Sequence, residues 1–268
     1  MAESTTRLRV AIAGARGRVG REIARAVDAA PDLELVGGLA RTPGATLPRA
    51  DGPPLALHTD IAALLAETRP DVLVDFTRAD AALPIARAAL AARVPTIIGT
   101  SGLTASQLDE LRVLAEAAEV AVAVVPNFAL GVVLLIHFAR LASRYFDAAE
   151  VIELHHDGKI DAPSGTALAT AEAMAAARGR PFAPDPTEHL LTPGARGGEH
   201  AGVRLHSVRL PGLVAHQEVL FGGPGQVLTL RHDATSREAY VPGVLLAIRE
   251  VPRRRGLIVG LDPLLGLG

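Results

Sequence analysis

Apolar and polar positions along the chain alternate in a way that predicts short strands separated by amphipathic helices. Residues 8–13 form a brief apolar run closed by Gly14, the pattern of a buried strand. Residues 19–30 follow with helical spacing, Ile23, Ala26 and Val27 on one face, and Pro31 stops them. The same reading gives strands over 33–39, 71–76, 95–99 and 120–125, and helices over 61–67, 79–92 and 105–119. Strands and helices alternating at this spacing predict a parallel sheet with helices on both faces.

The character changes after Asn127. Residues 130–145 read as one long helix, 151–155 as a strand entering a polar loop, and 165–178 as an alanine-rich helix closed by Gly179. Residues 181–202, rich in Pro, Gly and charge, read as a long loop. Three strands then follow, over 203–209, 214–222 and 226–233, and predict a mixed or antiparallel sheet in a second domain. Residues 239–250 are helical again and are expected to return to the first domain. The expected class is α/β, with a nucleotide-type domain over 1–127 and 238–268 and an inserted α/β domain over 128–237.

Composition narrows the functions. The chain has 268 residues, 49% apolar and 21% charged, a soluble globular balance. A net charge of −2 and 3% aromatic residues give no basic surface and few stacking platforms for nucleic acid. Cysteine is absent, which removes disulfides, thiolate metal sites and cysteine nucleophiles. No apolar signal core follows the polar N-terminus, and no stretch has the length and apolarity of a membrane span, so a cytoplasmic protein is expected. Positive charge is carried by arginine except at Lys159, the single lysine. A lysine can give up a proton near ordinary pH, and arginine cannot.

Two segments carry chemistry. Gly14-Ala-Arg-Gly-Arg-Val-Gly20 sits where the first strand turns into the first helix. Glycines at this spacing let backbone approach a pyrophosphate, which meets free amides at the helix start. The second strand ends in Gly37-Gly-Leu-Ala-Arg41. No carboxylate is there to bind ribose hydroxyls, and Arg41 suits a 2′-phosphate, favouring NADPH with NADH as the other cofactor. Arg16 and Arg18 add positive charge. The loops Asp75-Phe76-Thr77 and Gly99-Thr100-Ser101-Gly102 follow strand ends and are expected near the nicotinamide. The second segment is Glu153-Leu-His-His-Asp-Gly-Lys-Ile-Asp-Ala-Pro-Ser-Gly-Thr166. Pro163 suits the first turn of the next helix, and Ser164, Gly165 and Thr166 would lie at its start, where amides and hydroxyls bind a carboxylate. His156 and Lys159 supply donors for a second carboxylate, and His155 and Lys159 are candidate proton donors. A His-His-Asp metal fragment is the weaker reading, because the other histidines are scattered and H-E-x-x-H is absent.

The segment His155-His-Asp-Gly-Lys-Ile-Asp-Ala-Pro-Ser-Gly-Thr166 resembles the signature of dihydrodipicolinate reductases. The glycine loop, Asp75 to Thr77, Gly99 to Gly102, Asn127-Phe128 and Ser207 to Glu218 resemble the same family, in its order, over nearly the whole chain. The resemblance implies a Rossmann-like nucleotide domain, an inserted substrate domain, and homotetramers joined through that domain's sheet. It implies hydride transfer from NAD(P)H to the dihydropyridine formed from 4-hydroxy-tetrahydrodipicolinate, followed by protonation of the enamine. His155 and Lys159 are then the acid/base candidates. His156, Lys159, Ser164, Gly165 and Thr166 match substrate positions. Gly14, Arg16, Gly17, Arg18, Val19, Gly20, Arg41, Phe76, Thr77, Gly99, Thr100, Ser101, Asn127 and Phe128 match the cofactor side, with Asn127 and Phe128 at the hinge. Ala40 departs from the family, where an acidic residue commonly precedes the arginine. The rivals are another small-dicarboxylate reductase and a non-catalytic nucleotide sensor. A sensor would have no need of the His155, His156, Lys159 and Thr166 set.

Overall fold

A computed structural model describes residues 7–100 and 102–267. The backbone divides into two compact units, 1–128 with 240–268, and 129–239.

The first unit opens with β1 (Leu8–Ala13), α1 (Arg18–Ala29) and β2 (Leu33–Leu39). A two-stranded ribbon follows, β3 (Thr46–Leu47) and β4 (Leu55–Ala56), then α2 (Ile61–Thr68), β5 (Val72–Asp75), α3 (Ala79–Ala91), β6 (Thr96–Ile98), α4 (Ala105–Ala118) and β7 (Ala121–Val124). In the second unit lie α5 (Leu130–Ala142), β8 (Ala148–His155), α6 (Gly165–Arg178), β9 (Gly198–His200), β10 (Val203–Arg209), β11 (Ala215–Gly223) and β12 (Gln226–Ala234). The chain then returns to the first unit with α7 (Val241–Glu250), β13 (Gly256–Val259) and α8 (Asp262–Leu265).

The sheet of the first unit runs β13-β7-β6-β5-β1-β2, and each pair is parallel. Its central strands are apolar without alternation because both faces are covered; Val10, Ala11, Ile12 and Ala13 are all fully buried. Leu64, Leu73 and Ile85 pack with Ala11 and Ala13. Leu83, Leu90 and Leu111 pack with Ile98 and Val122. Chain direction across the sheet reverses at β1, whose neighbours are β2 on one side and β5 on the other. The loop after β1 therefore opens at the switch point where α/β sheets bind ligands. The returning segment is held by Arg249, which donates to both carboxylate oxygens of Asp32 at 2.7 and 2.9 Å.

The second sheet is mixed, in the order β12-β11-β8-β10-β9, with β8 and β10 parallel and the other pairs antiparallel. Helices α5 and α6 cover one face, burying Leu135, Met174, Val151, Leu205, Val219 and Phe221. Along β8 the buried positions are Ala149, Val151 and Glu153, so Glu153 occupies a place on the core-facing side.

Several expectations shift. The loop over 181–202 contains β9, a short strand pinned to β10 through Gly198 and Leu205. The helix after Leu130 ends at Ala142, three residues early, where the Ser143 carbonyl accepts from the Arg178 guanidinium. Residues 237–240 form a separate 3-10 turn, and α7 starts at Val241 with Pro242 in its first turn. Pro163 precedes the helix it was expected to open; Ser164 is the N-cap and Gly165 the first helical residue. Strand β13, the ribbon β3–β4 and α8 have too few residues to show a period.

The Arg178 guanidinium is sealed in the second unit. It donates to the carbonyls of Ser143, Phe146 and Pro181, pairs with Asp147, and its carbon lies 4.7 Å from the Phe182 ring centre. Arg178→Ala strands those carbonyls and is expected to cost about 3 kcal/mol. Denaturant unfolding checks this; an unchanged midpoint and slope would refute it.

Candidate functional site

The nucleotide side is built on three loops of the first unit. Gly14 leaves β1 with φ +77°, and a Cβ there would lie 2.5 Å from the Phe76 carbonyl oxygen. Only glycine combines that backbone angle with that approach. Gly17 is the N-cap of α1 and offers no capping side chain. The amides of Arg18, Val19 and Gly20, in the first turn, have no side-chain cap among the described residues and are open to an external acceptor. Exposed Arg16, Arg18 and Arg41 make no side-chain hydrogen bond or ion pair among the described residues. Free amides with unpaired guanidiniums fit the phosphates of a dinucleotide.

Asp75 organises the other two loops. Its side chain is fully buried at the end of β5. One carboxylate oxygen accepts from the Thr77 amide at 2.9 Å, the other from the Thr100 hydroxyl at 3.4 Å, and its carbonyl accepts from the Gly99 amide. Burial pushes the Asp75 carboxyl above the usual range, against these hydrogen bonds. The Phe76 ring lies over Gly99, where a Cβ would strike it, and 5.6 Å from the buried ring of Phe128. Phe76, Thr77, Gly99, Thr100 and Phe128 are thus brought together. Asn127 precedes Phe128 at the end of this stretch, half-buried, and Ser101 lies outside the described residues.

The second cluster lies in the second unit, where β8 ends and α6 begins. Glu153 accepts at 2.5 Å from His155 Nδ1, at 2.8 Å from each of two Arg209 nitrogens, and at 3.2 Å from the Ser164 amide. Parallel pairing of β8 with β10 sets Ser207 beside Glu153 and Arg209 beside His155. Arg209 also donates to the Asp161 carbonyl and so holds the intervening loop. Burial would raise Glu153, but hydrogen bonds from Arg209, Ser207 and His155 outweigh it and hold the carboxyl below its ordinary value. Burial lowers His155, aided by the Lys159 and Arg209 cations and opposed by Glu153.

Four amides at the start of α6 need partners. The Ser164 amide has Glu153, and the Ala167 amide has the Ser164 hydroxyl at 3.2 Å. Those of Gly165 and Thr166 have no partner among the described residues and are open to an incoming anion, with the Thr166 hydroxyl and the hydrogen of the buried Ser164 hydroxyl. Lys159 Nζ is engaged by both Asp161 oxygens at 2.8 Å. An ammonium already gripping one carboxylate is suited to another. His156 lies beyond the end of β8, exposed.

Glu153, Arg209 and Asp75 lie within the segments singled out in the sequence, but their side chains have no role assigned there. Glu153 carried a signal, an acid two residues before His155 in an apolar strand and so on the same face. Arg209 lies in the Ser207 to Glu218 run that resembles the family, but its partner is 56 residues away on a strand whose pairing no local pattern encodes.

Two family models match, dihydrodipicolinate reductase N-terminus over residues 8–128 and dihydrodipicolinate reductase C-terminus over 131–265. The chain belongs to the dihydrodipicolinate reductase family. Family membership makes it an NAD(P)H-dependent oxidoreductase. It is 52% identical to 4-hydroxy-tetrahydrodipicolinate reductase of Moorella thermoacetica, over 96% of this chain and 98% of the relative. The corresponding protein of Dehalococcoides mccartyi, strain BAV1, is 47% identical over 98% of this chain and all of the relative. Among solved structures, dipicolinate-bound dihydrodipicolinate reductase from Paenisporosarcina sp. TG-14 superposes with TM-score 0.89 at 39% identity, covering 96% of this chain and 99% of that one.

Acid should weaken the fold through this cluster. His155 titrates below its ordinary value in the folded protein, so the unfolded chain takes up the proton first and stability falls as pH drops from about 6.5. Glu153, also lowered, contributes stability that is present above about pH 4.3 and lost as pH falls through its folded value. Asp75, raised by burial, acts in the opposite sense, so the test is a comparison: the decline of melting temperature from pH 7 to 4 is expected to be smaller in His155→Asn than in the wild type, and equal declines would contradict this.

Proposed function

We propose that this protein reduces 4-hydroxy-tetrahydrodipicolinate, by way of dihydrodipicolinate, to tetrahydrodipicolinate in lysine and diaminopimelate biosynthesis. The observation that carries the reading is the loop from His155 to Thr166. It joins an imidazole, an ammonium and the open start of a helix in one stretch, and it lies in a chain of this family. A ring bearing two carboxylates meets both kinds of anion site there. One carboxylate is bound by the Gly165 and Thr166 amides with the Ser164 and Thr166 hydroxyls, the other by Lys159 and His156. The dipicolinate held by the Paenisporosarcina relative is a small dicarboxylate of this shape.

The dinucleotide, when bound, supplies the hydride. Gly14, Gly17 and Gly20 keep backbone close to its phosphates, with the amides and guanidiniums described above. Phe76, Thr77, Gly99, Thr100, Asn127 and Phe128 line its nicotinamide end; Ser101, expected there, lies outside the described residues. Once the ring has accepted hydride, an acid of the protein, His155 or Lys159, protonates the enamine carbon.

NADPH is the preferred reductant in this reading. Arg41 is exposed and unpaired among the described residues, and Ala40 offers no carboxylate to repel a 2′-phosphate. We place the working enzyme in the cytoplasm as a homotetramer, on the family resemblance. Val227 and Leu210, exposed apolar side chains on the second unit, support a protein–protein face there.

The test is a coupled assay in which substrate is made from pyruvate and aspartate semialdehyde while NADPH and NADH absorbance are followed separately. Oxidation upholds the reading, and folded protein that oxidises neither refutes it. Lys159→Ala is expected to lower turnover about 100-fold or more while leaving NADPH affinity unchanged, and normal turnover would remove Lys159 from the chemistry. Arg41→Ala should weaken NADPH about tenfold and leave NADH nearly unaffected; equal weakening of both would end the 2′-phosphate assignment.

A further inference from the structure

We infer that Glu153 is a positioning residue for proton transfer, fixing the tautomer of His155 and tying that ring to the anion-binding start of α6. The inference rests on the reading of the His155–Thr166 loop as the substrate site.

Three observations carry it. First, Glu153 is fully buried at a core-facing position of β8, where an apolar side chain would pack more cheaply. Secondly, all of its bonds are spent on the site. Arg209 holds it from β10, His155 Nδ1 points at it, and the Ser164 amide that opens α6 donates to it. Thirdly, His155 Nε2 has no partner among the described residues and is not sealed from solvent. One ring nitrogen is therefore committed and the other is available.

A histidine whose Nδ1 faces an ionised carboxylate keeps its proton on that nitrogen when neutral, so protons come and go at Nε2. In the reaction the imidazolium loses the Nε2 proton. The enamine electron pair forms the new C–H bond, the N–H pair stays on Nε2, and solvent restores the proton later. The carboxylate stays ionised throughout because two Arg209 N–H groups and a backbone amide hold it. The charged groups facing the ring are Glu153 on its own strand, Arg209 on β10 and Lys159 in the following loop. The paired position on β11 is Ala215 and carries no charge. The link from Glu153 to the Ser164 amide also fixes the spacing between the acid and the residues that bind a substrate carboxylate.

The first measurement uses the wild-type protein labelled with 15N-histidine, with His155→Asn to assign the signal. The neutral His155 ring is expected as the Nδ1–H tautomer with bare Nε2; the Nε2–H tautomer would overturn the inference. This readout is independent of turnover, so it judges Glu153 even if the wild type reduces no substrate, a result that would instead refute the proposed function. The second measurement is the pH profile of Glu153→Gln. Without the carboxylate the imidazolium is less favoured, so the alkaline limb of kcat moves to lower pH. The value of kcat falls about 10- to 100-fold while KM for NADPH stays the same. A variant that is less stable but keeps the wild-type limb would show a structural role only and overturn the inference. Should Glu153→Gln not fold, the tautomer measurement decides alone.

Discussion

A carboxylate taken out of water must either be neutralised or be surrounded by donors, and this requirement shapes the end of β8. Glu153 is satisfied from three directions: a guanidinium on a parallel strand, an imidazole two residues along its own strand, and the first amide of a helix. Each donor belongs to a different part of the site. The strand pairing, the aim of His155 and the start of α6 are consequently coupled through one side chain. Arg209 extends the arrangement to the loop that carries Lys159 by donating to the Asp161 carbonyl. The network satisfies the buried carboxylate and leaves one buried donor, Arg209 Nε, without a partner among the described residues; its two bonds to Glu153 still fix the geometry that substrate positioning requires.

The nucleotide side follows a different rule, in which space and backbone direction matter more than charge. Gly14 and Gly20 have no room for a Cβ, because the Phe76 backbone crowds the first and the Gly14 backbone the second. The tight turn exposes the first amides of α1 at the switch point of the sheet. Asp75 resembles Glu153 in being a buried acid that fastens loops. Its donors are an amide and a hydroxyl with no cation among them, and its carboxyl is raised where Glu153 is lowered. The Arg209 guanidinium and the other donors around Glu153 outweigh its burial, and the amide and hydroxyl around Asp75 do not.

How much of this could be read from the sequence depended on whether each feature was local. Periodicity located β1, β2 and α6 because continuous apolar strands and capped helices leave a pattern within a dozen residues. The parallel six-stranded sheet and the mixed second sheet agree with the expected fold class. The four-residue β13 follows three arginines and has too short an apolar run to stand out. β9 was hidden in a polar loop because its pairing with β10, and not its composition, makes it a strand. Motif residues were visible as a string, but their division of labour was not. Ser164 appeared as a substrate ligand, and the structure shows that its amide and its hydroxyl oxygen are already engaged, leaving Gly165 and Thr166 to offer free amides. Arg209 is brought to His155 only by strand pairing.

Glu153 acts on the chemistry through His155. A double-mutant cycle on kcat tests it most directly, comparing wild type, Glu153→Gln, His155→Asn and the double variant, all assayed as folded protein. Strong non-additivity is expected: once His155 is gone, replacing Glu153 changes kcat little further. Independent effects that multiply in the double variant would contradict it and show that the buried carboxylate serves some other part of the site.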